Sequence, residues 1–245
     1  MEEYIQNYKL FDKSVVYNFE LGNGGIGDYI KFFMFVLEDC MKNNKKLYCK
    51  KNNIEIEKYI KLKYDMYIEN LESLENYEIV SPYMYYSTIN TNFTLNINEV
   101  FYFTDEIIEN SKRLYDQQHQ HISLHLRLGD KYLETDRKYV MVKDDTRKFS
   151  QEKIYEIIEK ETRPIFFCCD NQHYKLKIKN RYPNIIITNC KIGHTSLSNT
   201  TSEQIIDAIT EFYILTNSEI IYSASNSGFS EIASKFNNIP LIKLQ

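Results

Sequence analysis

Residues 121–130 read HISLHLRLGD, and this stretch decides how the rest of the chain is read. Apolar Ile122, Leu124 and Leu126 alternate with Ser123, His125 and Arg127, the two-residue period of a β-strand. That period puts His125 and Arg127 on one face, about 6 to 7 Å apart along the strand. Gly129 and Asp130 then turn the chain away. Ligands of open α/β sheets bind beyond the carboxyl ends of the strands. An arginine there is a permanent cation with a planar fork of donors, which suits a phosphate. It also makes an ordinary surface ion pair, so the strand alone leaves both readings open.

Downstream, PIFFCC (164–169), NIIIT (184–188), EIIYS (219–223) and PLIKL (240–244) read as short buried strands. Helical patterns near 150–161, 171–181, 202–217 and 228–236 separate them, the βαβ rhythm of a parallel sheet. Thr201 with Gln204 fits a capping box, and Ile205, Ile209, Phe212 and Thr216 give that helix one sheet-facing side. Upstream, SVVYNFEL (14–21) predicts a strand, 27–43 a helix and KLYCK (46–50) a second strand. Strand pieces follow at 65–68 and 77–80, then a loop over 81–99 and a helix over 100–117. The simplest architecture is two α/β halves joined near QQHQ (117–120), dividing the chain into 1–118 and 119–245.

The stretch LGNGGIGDYIKFF (21–33) holds four of the seven glycines. Gly22, Gly24 and Gly27 satisfy the GxGxxG of a dinucleotide site, between a strand and a helix. That fingerprint also needs a carboxylate ending the second strand, to hold the ribose. The stretch there, KKLYCKKNN (45–53), has none, which argues against NAD or FAD. Two readings remain: a bare backbone that meets an anion at a helix N-terminus, or simply a tight turn. Asp28 sits where a carboxylate favours the helix dipole.

The composition narrows the function classes. A formal charge of -4 over 245 residues, with dispersed lysines, leaves no basic stripe for nucleic acid. No apolar run approaches the roughly 20 residues of a membrane span, and the N-terminal stretch lacks the features of a secretory signal. Five cysteines (Cys40, Cys49, Cys168, Cys169, Cys190) without CxxC spacing point to a reducing, cytoplasmic setting. Cys168 and Cys169, inside a predicted strand, read as packing residues. His119, His121, His173 and His194 show no metal spacing, and no DxD motif occurs. No metal and no resident cofactor are expected.

HxRxGD resembles the first motif of the superfamily of α1,2-, α1,6- and protein O-fucosyltransferases. IFFCCDNQHYKLKIKNRYPNIIIT is similar to that family's strand, acidic turn and helix. EFYILTNSEIIYSASNSGFSEIAS is similar to its DxxLMSxCxxxIxxNSSFSWWAA segment. The resemblance implies a GT-B-like fold: two Rossmann-like α/β domains facing each other across a cleft, the N-terminal one on the acceptor side. It implies a donor site of His125, Arg127, Asp130, Glu211, Asn226, Ser227, Gly228 and Phe229, with Arg127 on the β-phosphate. GGIGD resembles the family's GGLGN or GRFGN, which puts Gly24, Gly25 and Gly27 on a loop facing the cleft. The implied reaction is inverting, metal-independent transfer of fucose from GDP-fucose to a hydroxyl of a glycan or glycoconjugate. No nucleic acid partner is implied, and the oligomeric state stays open.

Several positions depart from the family pattern. Asp28 stands for Asn, Glu211 for Asp, Gly228 for Ser or Gln, and the chain has no tryptophan. GGIGD also resembles the opening of heptosyltransferases, whose Asp at that position is the base. Asp28 and Glu134 are therefore both candidates for the base, and either also reads as a solvated surface carboxylate. Transfer from another nucleotide sugar, or a binding module without catalysis, are the alternatives.

Overall fold

The computed structural model describes residues 1–82, 92–114, 120–134, 145–189 and 191–244. Short β-branched and aromatic runs form its strands: β1 (Ser14–Tyr17), β2 (Lys46–Lys50), β3 (Ile60–Leu62), β4 (Tyr67–Ile68), β5 (Tyr77–Val80), β6 (Phe101–Phe103), β7 (Ile122–Leu126), β8 (Ile165–Cys169), β9 (Ile221–Ser223) and β10 (Leu241–Lys243). The helices are α1 (Glu2–Gln6), α2 (Ile26–Lys42), α3 (Glu55–Tyr59), α4 (Ile97–Val100), α5 (Asp105–Leu114), α6 (Gln151–Lys160), α7 (Gln172–Arg181), α8 (Ser202–Leu215) and α9 (Gly228–Phe236). Two four-stranded sheets, ordered β4-β2-β1-β5 and β10-β9-β7-β8, are parallel throughout. Each falls within one of the two predicted halves.

The alternation read at 121–130 sorts the second sheet into two faces. Ile122, Leu124 and Leu126 of β7 join Phe167 of β8, Ile154 and Ile158 of α6 and Ile178 of α7 in one core. Phe166 and Cys168, the alternate residues of β8, face the other core with α8 and α9. That second core is continuous with the N-terminal sheet and α2. Phe103 shows the join, its ring 5.0 Å from those of Tyr213 and Phe236. His125 faces this side too, so the strand's polar row points to where the halves meet.

Most predicted elements appear within a few residues, and α8 carries the predicted box: Thr201 Oγ1 accepts from the Gln204 amide, and Gln204 Oε1 from the Thr201 amide. Four expectations need correction. Residues 101–103 are a strand, not the start of a helix, because buried Phe101 and Phe103 alternate with exposed Tyr102 against antiparallel β3. The helix begins only at Asp105. The strand predicted over 184–188 is a single bridge between Ile186 and Phe166. The first strand stops at Tyr17, since Asn23 folds back to accept the Glu20 amide and starts the glycine turn, with Gly22 and Gly24 at φ of 97° and 127°. The predicted loop over 81–99 ends in helix α4, which begins at Ile97, while residues 83–91, the link at 115–119 and Cys190 lie outside the described residues.

Gly27 sets how closely the halves meet. A Cβ there would lie 2.9 Å from the carbonyl oxygen of Gly228, so α2 and α9 touch backbone to backbone at their first turns. Gly27→Ala is expected to destabilise the protein by about 1 to 3 kcal/mol. Gly228→Ala, whose Cβ meets nothing within 4 Å, should leave stability within about 0.5 kcal/mol. Urea denaturation of both variants tests this contrast.

Candidate functional site

The carboxyl ends of β7, β8 and β9 and the amino ends of α2 and α9 converge on a cleft of about 480 Å³. Both halves line it: Gly25, Ile26, Gly27, Asp28 and Lys31 from one, and the ends of β7 and β8, the loop at 192–195, and Asn226 to Phe229 from the other. The two helix starts bring partial positive charge to one place. In α9, Ser227 is the cap, its Oγ accepting from the Phe229 amide at 3.3 Å. In α2, Asp28 Oδ2 accepts from the Gly25 amide at 3.1 Å.

Arg127 is held at backbone and side chain. Its amide donates to Ser225 Oγ at 2.8 Å, and the same hydroxyl donates to the Arg127 carbonyl at 2.8 Å. Its guanidinium pairs with Asp130 and, at 3.2 Å, with Asp170. Asp170, buried just past β8, also accepts from the Leu128 and Gly129 amides at 2.8 and 3.0 Å. It thereby shapes the turn that aims the arginine. Gly129 (φ 109°) is required there, because a Cβ would stand 2.5 Å from the Asp145 carbonyl oxygen. Burial pushes the Asp130 carboxyl up and the Arg127 charge pulls it down.

His125 is 5% exposed, and its ring stacks on Phe229 at 5.2 Å, which in turn meets Phe212 edge-on at 5.0 Å. Burial, and then the charge of Arg127, pull its pKa down to about 3, so the imidazole is neutral. Its Nδ1 is buried without a hydrogen-bond partner. Such an orphan on a cleft wall is satisfied only by water or a ligand.

Glu211 lines the cleft from α8 with its Oε1 committed: buried Lys175 donates to it at 2.9 Å, and the Thr188 hydroxyl donates as well. Burial raises the carboxyl's pKa, against the lowering effect of Lys175 and Thr188. Of the glycine loop, Gly25 and Gly27 line the cleft. Gly24 instead donates its amide to Ser196 Oγ at 3.2 Å. Asp28 lines the cleft with a raised pKa; burial is the main cause, opposed by the Gly25 amide, Lys31 and Arg127.

Besides Gly24, two predicted residues lie outside the lining. Asp130 acts on it through Arg127. Glu134 is turned elsewhere, its Oε2 accepting from the Gln172 amide at 2.9 Å at the start of α7. Sequence reasoning missed Lys31, Arg147, Asp170, His194 and Glu231 in the lining, and Lys175 behind it. Only Asp170 carried a signal: an acid directly after a buried strand, in the stretch matched to the family's acidic turn.

No protein-family profile matches the chain, and no curated protein matches it by sequence. Solved structures do. NodZ alpha-1,6-fucosyltransferase of Bradyrhizobium, soaked with GDP-fucose, superposes with a TM-score of 0.58 at 11% identity, covering 94% of each chain. A mutant of Arabidopsis thaliana FUT1 in complex with GDP gives 0.59 at 12% identity, over 100% of this chain and 74% of that one. POFUT1 in complex with GDP gives 0.52 at 10% identity, over 95% and 98%. At this identity the likeness is one of architecture, and it extends over nearly the whole chain: the protein has the GT-B-like α/β fold of the fucosyltransferase superfamily.

Proposed function

We propose that the protein is an inverting glycosyltransferase that moves fucose from GDP-fucose to a glycan hydroxyl without a metal ion. The observation that carries this reading is the convergence of HLRLGD, NSGF and GGIGD on one cleft. These three stretches are far apart in sequence. Solved proteins of the same fold hold GDP or GDP-fucose.

The chemistry divides between the two walls. Arg127 and the positive ends of α9 and α2 meet the diphosphate and stabilise the charge it gains on leaving. His125, Phe229 and Glu211 form an aromatic and hydrogen-bonding wall for the nucleoside. The acceptor oxygen attacks the anomeric carbon from the face opposite the diphosphate. The carbon–oxygen bond to phosphate breaks as the new glycosidic bond forms, and the hydroxyl proton passes to Asp28 Oδ1. A carboxyl raised by burial is better matched to this proton than a solvated one. The N-terminal half, 1–118, takes the acceptor, and 119–245 the donor.

Asp28 on the glycine loop, as in heptosyltransferases, favours a second reading with another nucleotide sugar. The choice lies in the nucleotide. The free thiols Cys40, Cys49, Cys168 and Cys169 are all buried, which supports a reducing, cytoplasmic setting. Among the described residues no helix is long and apolar enough to cross a membrane.

Titration calorimetry with GDP, UDP and ADP is expected to show preference for GDP. In Arg127→Ala that affinity should fall by about 100-fold or more, the loss of a bidentate charged contact. Preference for UDP or ADP would overturn the fucose reading. Asp28→Asn keeps an oxygen to accept the Gly25 amide but removes the base. Its kcat for transfer should fall about 10²- to 10⁴-fold, with GDP affinity unchanged. Because the base must be ionised, wild-type kcat should rise with pH through the raised Asp28 pKa, above the ordinary 3.8. A pH–rate profile of the Asn variant should lack that acid limb.

A further inference from the structure

Resting on the reading above, we infer that His194 is a second ligand of the nucleoside diphosphate, donating its Nε2 proton to a phosphate oxygen in the cleft that Arg127 also lines. The chain from Ile192 to Thr200, which carries it, is braced for such a task. The Thr200 hydroxyl donates to the His194 carbonyl at 2.6 Å, and the Leu197 amide donates to the same oxygen at 3.0 Å. Gly193 lets this curl close, since a Cβ there would lie 2.3 Å from Thr200 Cγ2. Ser196, two residues on, receives the Gly24 amide and so ties the loop to the glycine turn across the cleft.

The hydrogen bond to the ring fixes which nitrogen carries the proton. The Ser196 amide donates to His194 Nδ1 at 3.2 Å, so Nδ1 is the acceptor. In a neutral imidazole the proton then sits on Nε2. Burial, and next the charge of Arg127, lower the pKa to about 3, so the ring is neutral in the working range. Among the described residues nothing accepts from Nε2, and the ring lines the cleft. The tautomer also argues against a base: the free nitrogen already holds its proton.

The direction of the donor follows from its neighbours. A Cβ on Gly25 would stand 3.9 Å from His194 Cε1, the carbon between the two nitrogens, and 3.7 Å from Thr195 Oγ1. His194 therefore stands over the first turn of α2, a helix of 17 residues whose positive end faces the cleft. Arg127 lines the same cavity, close enough for its charge to act on the His194 ring, and the orphaned Nδ1 of His125 shares it. An anion between these groups would be gripped from both halves. A protonated ring would add charge beside Arg127, whereas a neutral N–H adds a donor without that repulsion.

The test measures GDP affinity by calorimetry in the wild type, Arg127→Ala, His194→Ala and His194→Gln, with thermal melts to check each fold. His194→Ala should weaken GDP by roughly tenfold to a hundredfold, as expected for a lost hydrogen bond to a charged group. His194→Gln, which restores an N–H near the Nε2 position, should recover most of that loss. If His194→Ala binds GDP as the wild type does, or if Gln is as weak as Ala, the donor role is wrong although the function stands. If the wild type fails to bind GDP, or Arg127→Ala binds it unchanged, the inference falls together with the proposed function.

Discussion

The approach of two backbones, Gly27 to Gly228 with room for no Cβ between them, is the constraint on which the cleft depends. It brings the first turn of α2, from the N-terminal sheet, against that of α9, from the C-terminal sheet. Two helix N-termini that would ordinarily repel then share one pocket, and continuous apolar packing around Phe103, Phe212 and Phe236 holds them there. Partial positive charges that close favour negative charge between them. Asp28, capping its own helix, supplies part of that negative charge.

The same economy governs the buried ion pairs. Taking charges from water costs several kcal/mol per ion, so a buried pair is weak evidence of stabilisation. Lys175 with Glu211, and Arg127 with Asp170, make better sense as positioning devices. Asp170 serves the Leu128 and Gly129 amides and the Arg127 guanidinium at once, so the turn's shape and the arginine's aim are one feature. Lys175 and Thr188 together occupy Glu211 Oε1, which holds that carboxylate in one orientation.

The legible part of the chain was the part written in period and punctuation. Alternation in β7 gave the face of His125 and Arg127, and the capping box fixed the start of α8. Linear motifs brought distant stretches to a common site, because the superfamily resemblance carried the topology that spacing alone lacks. What stayed hidden depends on contacts between segments. Lys175 shares its helix with Lys177 and Lys179, and nothing local marks it as the one turned inward to Glu211. His194 was set aside for lack of metal spacing, and its tether to the Ser196 amide has no sequence signature. Phe101–Phe103 was missed because three residues are too few for period 2 to separate from 3.6.

The two candidate bases show how place decides chemistry where residue type does not. Glu134 and Asp28 are both carboxylates next to matched motifs, and both accept a backbone amide at a helix start. Glu134 does so for α7, outside the cleft lining. Asp28 caps its own helix through Oδ2 and lines the cleft. Desolvation outweighs the Gly25 amide and the charges of Lys31 and Arg127, and its pKa ends up raised. A carboxylate with one oxygen anchored, the other free and its proton affinity increased is oriented and strengthened together. Those are the two properties a general base needs and a cap does not.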